Sequence, residues 1–181
     1  FDIDLPVLRP QVYTKPHPPM IRAVATENSM VQMGELGRTF MLVVQPDAET
    51  LRRFDVYKQT MSEVGYDDET IEKNMEQCWI WRNVFVAETD HEAEKIGVPA
   101  FLKSRQHIED TRNRLNTVEE MASVSRGLAD PRFGVEHSLI YGSPDTVSER
   151  IVNLENIGMG GLILHFRVGP LSWEQNEQSL R

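Results

Sequence analysis

Short apolar, β-branched runs alternate along this chain with longer stretches whose apolar residues recur at helical spacing. Four runs read as buried strands: Met20 to Ala25, Thr39 to Val44, Gln77 to Ala87 and Gly161 to Phe166. Thr26 caps a helix that Gly37 ends, and a second helix runs from about Ala48 to Val64, closed by Gly65. After the third strand, Asp90 is placed to cap the run HEAEKI. Residues Pro99 to Ser138 read as mostly helical and polar, broken at Gly127 and at Asp130-Pro131. Gly142-Ser143-Pro144-Asp145 then opens the helix TVSERIVNLENIG. Strand followed by helix, repeated, predicts an α/β fold with parallel strands.

Four βα units fit either a small open sheet or half of a (β/α)8 TIM barrel. A full barrel needs about 250 residues, and this chain has 181. Its proline-rich opening, FDIDLPVLRP, has no Met, and its end, SWEQNEQSLR, stops inside a helical pattern. Both ends read as the interior of a longer protein and favour the half barrel. The expectation is one domain, 1–181, with the four strands adjacent in chain order and the first and fourth left as edges. Such edges are prone to association, which predicts a homo-oligomer. The polar stretch 99–141 is expected to form an insertion over the barrel mouth, a lid that selects substrate.

Charge and composition narrow the classes of function. The chain carries a net charge of −9, which disfavours nucleic acid and anionic membrane as partners. No apolar run approaches the ~20 residues that span a bilayer, and the acidic start is unlike a signal peptide. One cysteine, Cys78, leaves no intrachain disulfide and no multi-cysteine metal site; a cytoplasmic setting is expected. The five histidines, His17, His91, His107, His137 and His165, lack metal-ligand spacing, so no metal is expected. Ser143 lies in GSPD rather than a G-x-S-x-G elbow, which gives a hydrolase no support.

The strongest chemical signal is Ala25-Thr26-Glu27-Asn28-Ser29, between a strand and a helix. Helix-start N–H groups, the positive end of the dipole and two hydroxyls make an anion site there, with phosphate the usual occupant. Taken alone, the same residues also fit an ordinary threonine N-cap. Other polar residues read as structural. His165 and Arg167 share one side of the fourth strand, with His165 a hydrogen-bonded residue before it is an acid or base. Arg82 is expected to pair with Glu76 or Glu88. Trp79 and Trp81 are expected to pack between the barrel wall and its helices.

The stretch RPQVYTKPHPPMIRAVATENSMVQMGELG resembles the fifth strand and helix of bacterial-luciferase-like flavin oxidoreductases. RNVFVAETDHEAEK is similar to that family's seventh strand and helix, and YGSPDTVSERIVNLENIGMGGLILHF to its last helix and eighth strand. Three phrases in the right order make the resemblance specific over nearly the whole chain. It implies the C-terminal half of a luciferase-like barrel, with flavin-phosphate contacts from Thr26 and Ser29 and from the backbone N–H groups of Glu27 and Asn28. It further implies a monooxygenase that uses reduced FMN, supplied by a flavin reductase, and O2 to oxygenate a small organic substrate. A deazaflavin-dependent hydride transfer and a nonenzymatic flavin-binding relic are the alternatives. The catalytic residues are expected outside this half, so that the isolated half is inactive.

Overall fold

A computed structural model describes residues 9–15, 17–117, 119–120 and 134–181. Its strands are β1 (Arg22–Val24), β2 (Phe40–Leu42), β3 (Trp79–Val86), β4 (Leu139–Gly142) and β5 (Gly161–His165). Between and after them lie α1 (Glu27–Glu35), α2 (Asp47–Val64), α3 (Asp68–Met75), α4 (Asp90–Leu115), the single turn α5 (Val135–Ser138), α6 (Pro144–Glu155) and α7 (Trp173–Leu180). All pairings are parallel.

β3 organises the sheet. Trp79 and Ile80 lie opposite Met41 and Leu42 of β2, and also opposite Gly161 and Leu162 of β5. The two neighbours therefore occupy opposite edges of β3. Asn83 faces both Leu139 of β4 and His165 of β5, so β4 continues along the β2 edge, further up the strand. The four expected strands are neighbours in the expected order, with β1 and β5 at the edges. The addition is β4, which begins just after the stretch 99–138 expected to be helical and polar. Its apolar triplet Leu139-Ile140-Tyr141 is short and abuts a helix start, so no periodicity marks it.

The main core fills the face where Val24, Phe40, Leu42, Ile80 and Val84 meet Met30 and Met33 of α1 and Phe54, Tyr57 and Met61 of α2. Phe40 holds the edge of Tyr57 at 4.9 Å between ring centres. A second cluster joins Phe85 and Leu139 to Ala93 and Phe101 of α4. Trp79 and Trp81 belong to neither cluster. Alternation along β3 puts them on the sheet face opposite Ile80 and Val84, and Trp79 stays 39% exposed. They line the inner face rather than packing under the helices as expected.

Arg82 is 2% exposed and donates to Asp47 at 2.8 Å and to the Trp81 carbonyl at 2.9 Å. Its expected partners, Glu76 and Glu88, sit exposed beyond the two ends of β3. Arg82 instead points to the helix face, where the first turn of α2 supplies the carboxylate. The cap of α4 also differs from expectation. Thr89 is the N-cap and accepts from the Glu92 N–H. Asp90, freed from capping, accepts from the Ser143 N–H at 2.7 Å and the Thr146 hydroxyl at 3.0 Å, which ties α4 to α6.

Pro99 opens no separate segment, because α4 runs through it to Leu115. A proline inside a helix forfeits one backbone bond. Packing on both sides of it holds the helix here: a side chain at Gly97 would collide with Phe85, and one at Gly169 with the Ala100 carbonyl. Gly127 and Asp130-Pro131, the expected breaks in the insertion, lie outside the described residues.

Gly160 is where β5 enters the sheet. Its N–H donates to the Cys78 carbonyl at 2.8 Å, and a Cβ there would stand 1.9 Å from the Glu76 carbonyl oxygen. Gly160→Ala is therefore expected to destabilise the protein by about 2–3 kcal/mol in urea titrations, as overpacking against a fixed backbone does. An unchanged midpoint would show that this approach is looser than described.

Candidate functional site

The strand β1 ends at Val24, and the chain turns directly into α1. Thr26 adopts extended backbone angles as N-cap, and its Oγ1 accepts from the Ser29 N–H at 3.2 Å. The Thr26 and Ser29 hydroxyls hydrogen-bond each other at 2.9 Å, so both lie at the same point above the helix start. The N–H groups of Glu27 and Asn28 have no acceptor among the described residues. Two hydroxyls, two free N–H groups and a helix dipole thus converge, and all belong to the four residues expected from the sequence. This donor set fits a phosphate group.

Glu27 raises an electrostatic objection, since a carboxylate beside a phosphate is repulsive. The structure answers it with residues that sequence reading missed. Arg52 of α2 forms an ion pair with Glu27 and holds Glu49 through Nε at 2.8 Å and Nη2 at 2.9 Å. The Arg52 hydrogen bond lowers the pKa of Glu27. Glu49 is drawn down to about 2, first by its bond to Arg52 and then by Arg53. Arg53, only 9% exposed, donates from Nε to Glu49 at 2.8 Å and from Nη1 to the Ala25 carbonyl at 2.9 Å. A buried guanidinium therefore clamps the strand end from which the anion turn springs. The spacing Glu49, Arg52, Arg53 is visible in the sequence as helix pairs at i+3 and i+4. Only the parallel pairing of β1 with β2 reveals that this face meets the turn.

At the far edge of the sheet, His165 is the hydrogen-bonded residue expected. Its Nδ1 lies 3.0 Å from Asn83 Oδ1, and its ring meets Trp81 edge-on at 5.5 Å. Burial, with Arg105 and Arg167 nearby, lowers its pKa below 6.5. Arg167 is exposed. Among the described residues no group of three or more His, Cys, Asp or Glu side chains gathers to hold a metal, and no helix is long and apolar enough to cross a membrane.

A parallel βα sheet whose first strand runs into a helix start with free N–H groups is the arrangement the structure offers an anion. The family model described as luciferase-like monooxygenase matches residues 3–160. This chain belongs to that family.

Solved structures share the fold. Monooxygenase RslO1 from Streptomyces bottropensis superposes with a TM-score of 0.62 at 21% identity, covering 96% of this chain and 48% of that one. The oxygenating constituent of 3,6-diketocamphane monooxygenase from Pseudomonas putida, solved in complex with FMN, gives 0.57 at 23% identity over 82% and 42%. The coenzyme F420-dependent tetrahydromethanopterin reductase from Methanopyrus kandleri gives 0.55 at 14% identity over 88% and 48%. The chain thus spans about half the length of the structures it matches. No curated protein sequence matches it.

The Glu49 pairs make a pH prediction. A carboxyl held at about 2 in the folded chain, against an ordinary 4.5, stabilises the fold fully above pH 4.5, and the gain is lost as pH falls toward 2. The pairs are partly exposed, so the gain is about 1 kcal/mol or less. Glu49→Gln should lower the denaturation midpoint at pH 7, and the gap from wild type should close below pH 3. A gap that persists at pH 2 would place the effect in packing.

Proposed function

We propose that this chain is the cofactor-phosphate-binding part of a flavin-dependent monooxygenase that uses reduced FMN and O2 to oxygenate a small organic substrate. The observation that carries this reading is the turn Thr26–Ser29, whose hydroxyls and unpaired N–H groups converge at a helix start. Thr26 and Ser29 would donate to the phosphate oxygens, and the amides of Glu27 and Asn28 would meet its remaining lone pairs. Arg53 keeps the turn in place through Ala25, and Arg52 draws the Glu27 carboxylate out of the way. Reduced flavin, when bound, supplies the electrons for activating O2. The inner face, with Trp79, Trp81 and Ile163, would shield the ring from water. We further propose that reduced FMN comes from a separate reductase. Turnover would require the remainder of the barrel found in the matched structures.

A deazaflavin also carries phosphate, so the turn serves the alternative hydride-transfer reading equally well. Support for FMN comes from the family description and from the FMN-complexed relative. Anaerobic titration with reduced FMN and with F420 separates the two readings, and binding of neither would favour a relic of the fold.

Replacing Thr26 and Ser29 together with Ala should weaken FMN at least tenfold and leave riboflavin unchanged, because riboflavin lacks the phosphate. Each lost hydrogen bond to a charged group is worth about 1.5–3 kcal/mol, and 1.4 kcal/mol is tenfold in Kd. Flavin fluorescence titration reads both constants. Equal losses for the two ligands would overturn the assignment.

A further inference from the structure

The imidazole of His165 is the end of a hydrogen-bond chain whose directions can be worked out atom by atom. Asn83, 6% exposed, donates from Nδ2 to the Ser138 carbonyl at 2.8 Å. A carbonyl only accepts, which fixes the amide's orientation and leaves Oδ1 facing His165. Oδ1 also only accepts, so the Nδ1 atom 3.0 Å away must carry the ring proton. In a neutral ring that leaves Nε2 with a bare lone pair. No described residue bonds Nε2, and His165 is half-buried.

The surroundings say what kind of group would meet that lone pair. Trp81, opposite Ile163 in the register, stands edge-on to the imidazole. One step down the same face, Trp79 lies across Gly161, where any side chain would collide with its indole. This wall is flat and aromatic, and the Trp81 Nε1 in it is buried and without a partner among the described residues. Among the described residues, the charged groups that lower the imidazole's pKa are cations, Arg105 on α4 and Arg167 just past β5. Its β3 neighbours, Trp81 and Asn83, are uncharged. Cations oppose an imidazolium and favour a ligand oxygen that carries partial negative charge.

We propose that His165 is a substrate-binding residue whose Nε2 accepts a hydrogen bond from the hydroxyl of a flat aromatic alcohol lying against Trp81. Asn83 is a positioning residue, because it sets the tautomer and touches no substrate. The assignment names the substrate class of the proposed monooxygenase and rests on that reading for its place in the reaction. The site itself is testable without flavin.

Two measurements on the wild-type chain decide it. Long-range proton–nitrogen NMR at pH 7.5 should show His165 as the Nδ1–H tautomer. Equilibrium dialysis, run without flavin, should find 2-naphthol bound about tenfold more tightly than 2-methoxynaphthalene, which cannot donate. The preference should fade only as pH falls through the imidazole's pKa, which burial and the nearby arginines hold below its ordinary value, because a protonated Nε2 no longer accepts. His165→Phe should abolish the preference. Asn83→Leu should reduce it and release the tautomer; if that variant fails to fold, the wild-type measurements still decide. An Nε2–H tautomer, or equal affinity for the two probes, would overturn the proposal. Failure of the Thr26 and Ser29 test would leave these results standing, so the two readings fail separately.

Discussion

β3 uses both of its edges at once, and the geometry of the molecule depends on that. Three other strands take their register from its eight residues. One face closes the main core through Ile80 and Val84, while the other presents Trp79, Trp81 and Asn83. A slip of one residue would exchange these sets. It would break the Asn83 bonds to Ser138 and His165 and turn Arg82 away from Asp47, the carboxylate it pairs with. The long apolar run fixes position, and the buried guanidinium fixes register.

The Thr26–Ser29 turn depends on a neighbour distant in sequence. Thr26 and Ser29 are local, and the helix start that aims them is local. What holds the turn comes from α2, where Arg53 grips the Ala25 carbonyl and Arg52 occupies Glu27. Parallel pairing of β1 and β2 brings the two helix starts side by side, so one hydrogen-bonded ladder serves both.

Features written in short stretches were legible from the sequence. The strands β1, β2, β3 and β5, the Thr26 cap and the four residues of the turn each rest on a run or a spacing of a few residues. Features settled by contacts between distant segments were not. Asp47 as partner of Arg82 depends on which face of β3 meets α2. Asp90 bonds Ser143 and Thr146 because α4 and α6 meet at β4, a contact no local pattern announces. β4 itself is too short to show a period. Pro99, a breaker by local rules, is overruled by the packing of Gly97 and Ala100.

The four side chains around the anion turn, Glu27, Glu49, Arg52 and Arg53, cancel in formal charge. On the proposed reading, a phosphate arriving there would meet oriented N–H and O–H dipoles with those four charges cancelled, while the chain carries −9. Dipolar attraction acts over a few ångströms, and the repulsion extends over a Debye length. For this chain, added salt therefore removes more repulsion than attraction. If the proposed site holds phosphate, this chain captures such ligands faster as ionic strength rises, the reverse of sites that recruit them with a basic patch.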